Sequence, residues 1–225
     1  MLDWLLCTAV AFLATTHAEY TINFNDAALL KTNLGYQLVA LDKASSKGNW
    51  TGAKFIFQQI IHLVHGSSLT LENIGRFHQQ GEDVDLFSAF YSSADYASKF
   101  VSAAIDGTAP FDGVSLSGKM RAELTMKGVV LQSVTMGALN SLRTAIDQCL
   151  LKSYDANTGA PSYVDIAWGM FSADKSQIAL GEKRCPQFDT CVPNQGSGTK
   201  SKVNHELLAL FESAVSNARK GQCWM

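Results

Sequence analysis

Residues 120–154 run without a proline, and their apolar members recur at helical spacing: Leu124, Val130, Leu131, Val134, Leu139, Leu142, Ile146 and Leu150. A run of that length and period commits the chain to a long helix whose apolar stripe other elements must cover. Gly128 and Gly137 inside it mark kinks or close packing. The same period governs most of the chain. Residues 26–44 place Leu29, Leu30, Leu34, Leu38 and Leu41 at three- and four-residue steps, with Asn25 or Asp26 as the cap. Residues 51–64 are apolar on most sides and read as a buried helix closed by Gly66, with a short strand as the alternative. A short helix is expected over 68–79 and a longer one over 85–105, stopped by Asp106-Gly107. Two short helices follow over 163–171 and 175–183, and an amphipathic one closes the chain over 203–218. Pro110, Gly113 and Gly118 make 108–119 a loop, and 184–200 is a loop rich in Gly, Pro and Asn. The expected fold is all-α, an irregular multi-helix bundle with a disulfide-held C-terminal loop.

Composition fits that reading. The 225-residue chain is 47% hydrophobic and 17% charged, enough apolar matter for a real core and too little charge for a polyelectrolyte. Eighteen Lys and Arg stand against 20 Asp and Glu, a net charge of -2, which removes the electrostatic case for nucleic acid or a polybasic membrane contact. Four prolines are too few for a sandwich of many short strands.

Residues 1–18 carry an apolar run and end with small residues at Thr16 and Ala18, so they read as a signal peptide cleaved after Ala18. Asp3 in its leading segment argues for the alternative, a buried N-terminal helix. No later run reaches the ~20 apolar residues of a membrane span. The expected product is one helical domain, 19–225, with halves 19–112 and 113–225 as the alternative division. Its location would be secreted, periplasmic or at the cell surface.

Cysteine usage agrees. Cys7 leaves with the leader, and Cys149, Cys185, Cys191 and Cys223 remain, an even number in the last third of the chain. Of three pairings we favour Cys185–Cys191 as a local loop and Cys149–Cys223 as a staple from a helix to the C-terminus. The spacing lacks the Cys-x-x-Cys pair of common zinc sites. Asn49-Trp50-Thr51 is a sequon for N-glycosylation on a eukaryotic export route.

The chain has no phosphate-binding loop, no Gly-x-Ser-x-Gly turn and no His-Glu-x-x-His pair; His205-Glu206 is followed by Ala209 where the second His would stand. His62 and His65 would share a helix face, although a core or surface role is the commoner fate. Glu82, Asp83 and Asp85 read as a charge-favoured helix start. Tyr91 and Tyr96 read as core residues with a wet hydroxyl.

One stretch carries a resemblance. Tyr163-Val-Asp165-Ile-Ala-Trp168 is followed by Gln177-Ile-Ala-Leu180-Gly-Glu-Lys183-Arg184-Cys185-Pro-Gln-Phe188-Asp-Thr190-Cys191. With Leu142, Ala145, Ile146 and Cys149 upstream and Gly221-x-Cys223 at the end, residues 121–223 resemble the algal low-iron-induced surface and periplasmic proteins, the phytotransferrin-like iron-assimilation family. The chain departs from that family at Phe171-Ser172-Ala173, where a Gly is expected after the aromatics. The resemblance implies an exported helical protein that binds ferric iron, with carbonate as a synergistic anion. Ferric iron is a hard cation that takes oxygen donors. Asp165 and Tyr163 are the second-half candidates and Asp85 and Tyr91 the first-half ones, with Asp95 a further carboxylate.

The first functional expectation is therefore a secreted or cell-surface, non-enzymatic protein that binds ferric iron for uptake. The alternative is a helical cell-surface structural or interaction protein that meets a protein partner without metal. A third reading, a secreted enzyme, would need Arg184, Glu182 and His205 to converge in one pocket.

Overall fold

Leu30, Leu34, Leu38 and Leu41 bury their whole surface along one face of the first helix, α1 (Asn25–Ser46). Each such side chain withdrawn from water contributes about 1.5–3 kcal/mol, so this stripe organises everything packed on it. The computed structural model describes residues 25–62, 68–76, 88–108, 116–193 and 199–223. Within them α1 is followed by α2 (Trp50–Gln58), α3 (Tyr96–Asp106), α4 (Gly118–Gly128), α5 (Thr135–Leu150), α6 (Ala160–Ser172), α7 (Gln177–Arg184) and α8 (Lys202–Arg219). Two antiparallel hairpins interrupt the helices: β1 (Ile61–His62) with β2 (Ser68–Leu69), and β3 (Cys191–Pro193) with β4 (Thr199–Ser201). The architecture is all-α, as its period implies. Residues 1–18, expected to be a leader, lie outside the described residues.

The hub is α6. From Ala160 to Met170 every residue except Tyr163 is buried, as befits a helix apolar on nearly all sides. It packs on α5, α1 and α8, and Trp168 meets Phe211 of α8 with ring centroids 5.0 Å apart. One buried cluster takes Leu41, Phe57 and Ile105 from the first half of the chain and Val130, Met170 and Phe211 from the second. Both halves thus share it.

The long helix is present from Gly118 to Leu150, with one irregularity. Between α4 and α5, Val129–Val134 forms a wide π turn, in which the Thr135 N–H reaches back five residues to the Val130 carbonyl. The two glycines mark close packing. A Cβ on Gly128 would lie 2.9 Å from the Phe100 and Val101 side chains of α3, and one on Gly137 would lie 2.5 Å from the Ile74 carbonyl oxygen.

Both disulfides form as favoured: Cys149–Cys223 ties the end of α5 to the C-terminus, and Cys185–Cys191 closes a loop of six. The expected loop over 184–200 contains more order than its Gly and Pro content suggests. Cys191 pairs with Ser201 in the β3–β4 hairpin, and the Cys185–Gln187 turn precedes it.

Three helical expectations are corrected. The helix expected over 51–64 stops at Gln58. Gln59 turns extended, its carbonyl accepts from Gln37 Nε2 of α1 at 3.1 Å, and the β-branched Ile61 enters a strand against Leu69. Of the short helix expected over 68–79, residues 68–76 are instead strand β2, a turn and a 3₁₀ turn, Ile74–Arg76, and 77–79 lie outside the described residues. The helix expected over 85–105 is interrupted: residues 88–90 are helical, 91–95 form turns, and α3 begins at Tyr96. Ser92 takes a left-handed conformation (φ 52°), and Ser93 Oγ accepts the Asp95 N–H, a local bond that competes with the helix ladder.

Candidate functional site

The structure disperses the residues singled out as iron donors. Asp85 lies outside the described residues, as do Glu82, Asp83 and His65. Tyr91 precedes α3 and is half-exposed, its ring stacked on Tyr96 at 4.7 Å. Burial raises the Tyr96 hydroxyl above its ordinary pKa, and Tyr91 beside it adds to the effect, which disfavours a phenolate there. Tyr163 and Asp165 stand two residues apart on α6, and side chains at that spacing leave a helix on opposite faces. Asp165 is buried in the core, with 1% of its surface exposed. One ion therefore cannot take both. Among the described residues no three His, Cys, Asp or Glu side chains gather as a metal site would require. The helix face expected for His62 and His65 is absent, because His62 is a strand residue.

The other sequence candidates have structural partners. The four cysteines are bonded in pairs. Asn49 is the N-cap of α2, its Oδ1 accepting the Gly52 N–H at 3.0 Å. Asp95 pairs with Arg76. Glu182 accepts from the Ser201 N–H at 3.0 Å and from Asn204 Nδ2 at 2.9 Å, tying α7 to the start of α8. Arg184 faces elsewhere, into a groove whose described lining includes neither Glu182 nor His205.

That groove is a concave feature of the described surface. It has a volume of about 670 Å³, within the size range of small-molecule sites. Three segments far apart in sequence line it: the end of α1 with Lys47 and Gly48, the face of α4 that continues into the π turn, and α7 with the turn before it. Local chemistry fixes each. Arg121 of α4 lies over the Trp50 ring at 3.9 Å and donates to the Ala104 carbonyl at 3.2 Å and to that of Ile105. This holds the start of α4 beside the end of α1 and the C-terminus of α3. Lys175 pairs with Asp42 across the groove at 2.9 Å. Gln177 at the start of α7 donates to Val130 O at 2.7 Å and to Thr135 Oγ1, so α7 is anchored to the π turn.

The lining is strongly cationic. Lys47, Lys119, Lys127, Lys175, Lys183 and Arg184 stand against Asp42 and Glu123 alone. Asp42 is engaged by Lys175, and Glu123 by Lys127 at 3.3 Å one helical turn on. Lys47, Lys119 and Lys183 have no ion-pair partner among the described residues. The groove thus holds six cations to two acids on a chain whose net charge is -2. Its floor is apolar, with Met126, Val130, Leu131, Ala179 and Leu180.

Comparison with protein-family models, with curated proteins and with solved structures found no match for this chain. What the groove can do therefore follows from its own chemistry. A concave wall of one sign focuses its field and concentrates counter-ions of the other sign. Lysine heads on flexible stems suit an anion without demanding the planar fork geometry of arginine.

Nothing in the sequence alone marked this site. Its lysines sit on exposed helix faces (Lys119, Lys127, Lys183) and in turns (Lys47, Lys175), where a solvated position is the ordinary reading, and only the fold brings the three segments together.

Proposed function

We propose that the protein is an exported, non-enzymatic helical binding protein that takes an anionic ligand in the groove between α1, α4 and α7. One observation carries this reading: six cationic side chains face two engaged carboxylates around about 670 Å³ of concave surface, on a chain that is acidic overall. The two disulfides suit a protein that works in an oxidising compartment. The reading asks the groove for attraction and shape, and assigns it no chemical step.

The test is calorimetric titration of the disulfide-intact protein with inorganic phosphate and with sulfate over a range of sodium chloride. Binding that weakens with salt, and weakens further in Lys47→Glu/Lys119→Glu, is the expected result. Binding indifferent to both would sink the reading.

Ferric iron bound for uptake is a second proposal, drawn from the family resemblance. The observation in its favour is that Tyr91 is 45% exposed and so within reach of a ligand ion. Ferric titration with and without bicarbonate tests it. A visible charge-transfer band that disappears in Tyr91→Phe supports iron, and absence of the band in the intact protein removes it.

A further inference from the structure

We infer that the ligand of the groove is a single-chain anionic amphiphile: one acidic head group, carboxylate or phosphate, on an aliphatic body. This rests on the anion-binding reading above and adds the apolar half of the ligand.

The argument is the polarity gradient along the groove. Arg121 over Trp50 places the beginning of α4 against the end of α1, so Ser45, Ser46 and Lys47 share one end with Gly118 and Lys119. Both lysines there are exposed and have no ion-pair partner among the described residues. The Gln177 bond to Val130 places the start of α7 against the π turn, and this end carries Met126, Val130, Leu131, Ala179 and Leu180. About 18 Å of helix separates Lys119 from Leu131 at 1.5 Å per residue. Between the ends, Lys127 and Lys175 are engaged by Glu123 and Asp42, so their charge is compensated locally. Lys47 and Lys119, without an ion-pair partner among the described residues, therefore mark the polar end, while Lys183 and Arg184 stand one turn beyond Ala179 and Leu180 on α7.

Leu131 is 51% exposed although it lines a concave wall, a position where an apolar side chain gains by being covered. A small inorganic anion would satisfy the lysines and leave that wall wet. A neutral hydrocarbon would cover the wall and leave the lysines without a counter-charge. A molecule with an acidic head and an aliphatic body does both, and a groove of this volume suits one such chain rather than a folded partner. The π turn contributes here as well. Leu131 lies within it, at Val129–Val134, and lines the groove together with Val130 and Met126.

The test uses the full disulfide-bonded chain and titrates it calorimetrically with myristate, tetradecyl phosphate, inorganic phosphate and tetradecyltrimethylammonium, all below micelle formation. Both anionic amphiphiles are expected to bind at least about tenfold more tightly than inorganic phosphate, since burying two or three methylenes is worth that much. Both should also exceed the cationic amphiphile. Lys47→Glu/Lys119→Glu should weaken both anionic amphiphiles and phosphate. Leu131→Gln, a change at an exposed position, should weaken the amphiphiles and spare phosphate. A preference between myristate and tetradecyl phosphate supports the inference and names the source of the head group, fatty acid or phosphomonoester.

Inorganic phosphate binding as tightly as tetradecyl phosphate would overturn the amphiphile and leave the anion site standing. The cationic amphiphile binding as tightly as the anionic ones would overturn both readings, as would no binding by any probe. Circular dichroism of each variant separates loss of binding from loss of fold.

Discussion

Gln177 Nε2 donates to the carbonyl of Val130 at 2.7 Å, joining the first residue of α7 to the π turn that divides the long helix. The contact also takes in Thr135, whose Oγ1 donates to the same carbonyl at 2.9 Å and accepts from Gln177. Ser176 Oγ lies beside Gln177 Oε1 and 2.7 Å from the Met170 carbonyl, so its single proton serves one of them at a time. The π turn displaces a backbone carbonyl from the ordinary ladder, and one side chain from another helix meets it.

Removing that side chain leaves the carbonyl with fewer donors. Gln177→Ala is expected to destabilise the protein by about 1–2 kcal/mol, the cost of a lost part-buried hydrogen bond and its packing. Urea denaturation measures it. Thr135→Val should act in the same direction, and the double variant should cost less than the two separately, because both serve Val130. Strict additivity would show that the two residues act apart.

The two disulfides differ in the chain they close. Cys149 and Cys223 are 74 residues apart and Cys185 and Cys191 only six. In the chain-entropy account, the long loop is worth about 4 kcal/mol and the short one about 2. Cys149→Ser/Cys223→Ser should therefore lower the urea midpoint more than Cys185→Ser/Cys191→Ser does. The reverse order would mean that the short bridge supports native structure directly, through the turn at Cys185–Gln187 or the β3–β4 hairpin.

Gly137 tests close packing without touching the groove. Ala is ordinarily better than Gly in a helix by about 1 kcal/mol. At position 137 the added methyl would meet the Ile74 carbonyl at 2.5 Å, in a contact that Asn140 Nδ2 reinforces by donating to Gly75 O at 3.1 Å. Backbone cannot yield as a side-chain end does, so Gly137→Ala should cost a net of about 1–3 kcal/mol. Gly118, at the start of α4, has nothing within 4 Å of its would-be Cβ. Gly118→Ala is the control and should leave the thermal midpoint unchanged or raise it. A higher midpoint for Gly137→Ala would refute the close approach.

How much of this was legible in sequence varies by element, for identifiable reasons. The stripe Leu30, Leu34, Leu38, Leu41 could be read because the face that repeats is the face that is buried. The break before Tyr96 could not, since Phe90, Tyr91 and Ala94 continue the apolar pattern with no Gly or Pro to interrupt it. Phe90 is nevertheless 78% exposed, and the helix yields to a serine hydroxyl bonding its own backbone. Cysteine parity left three pairings, of which the favoured one is observed, whereas the groove depends on Lys47, Lys119 and Lys183 being brought to one lining by the fold. Gln177 stood in plain view as the first residue of a conspicuous segment, but its role exists only because Val130 sits in a π turn, which no residue type announces.

The aromatic pair before and within α3 makes an alkaline prediction. The Tyr96 hydroxyl is raised above the ordinary 10.0 first by burial, which disfavours the phenolate, and then by Tyr91 stacked against it. The folded protein therefore holds this proton to higher pH than the unfolded chain does. The resulting stability is complete below the ordinary tyrosine value and is lost as pH rises from there through the folded value, when the unfolded chain has already ionised. Spectrophotometric titration of the six tyrosines should show a late step that Tyr96→Phe removes. The same variant should lose less stability than the parent when the pH is raised past 10.0. A titration curve unchanged by Tyr96→Phe would place the late step on another tyrosine and remove Tyr96 as its source.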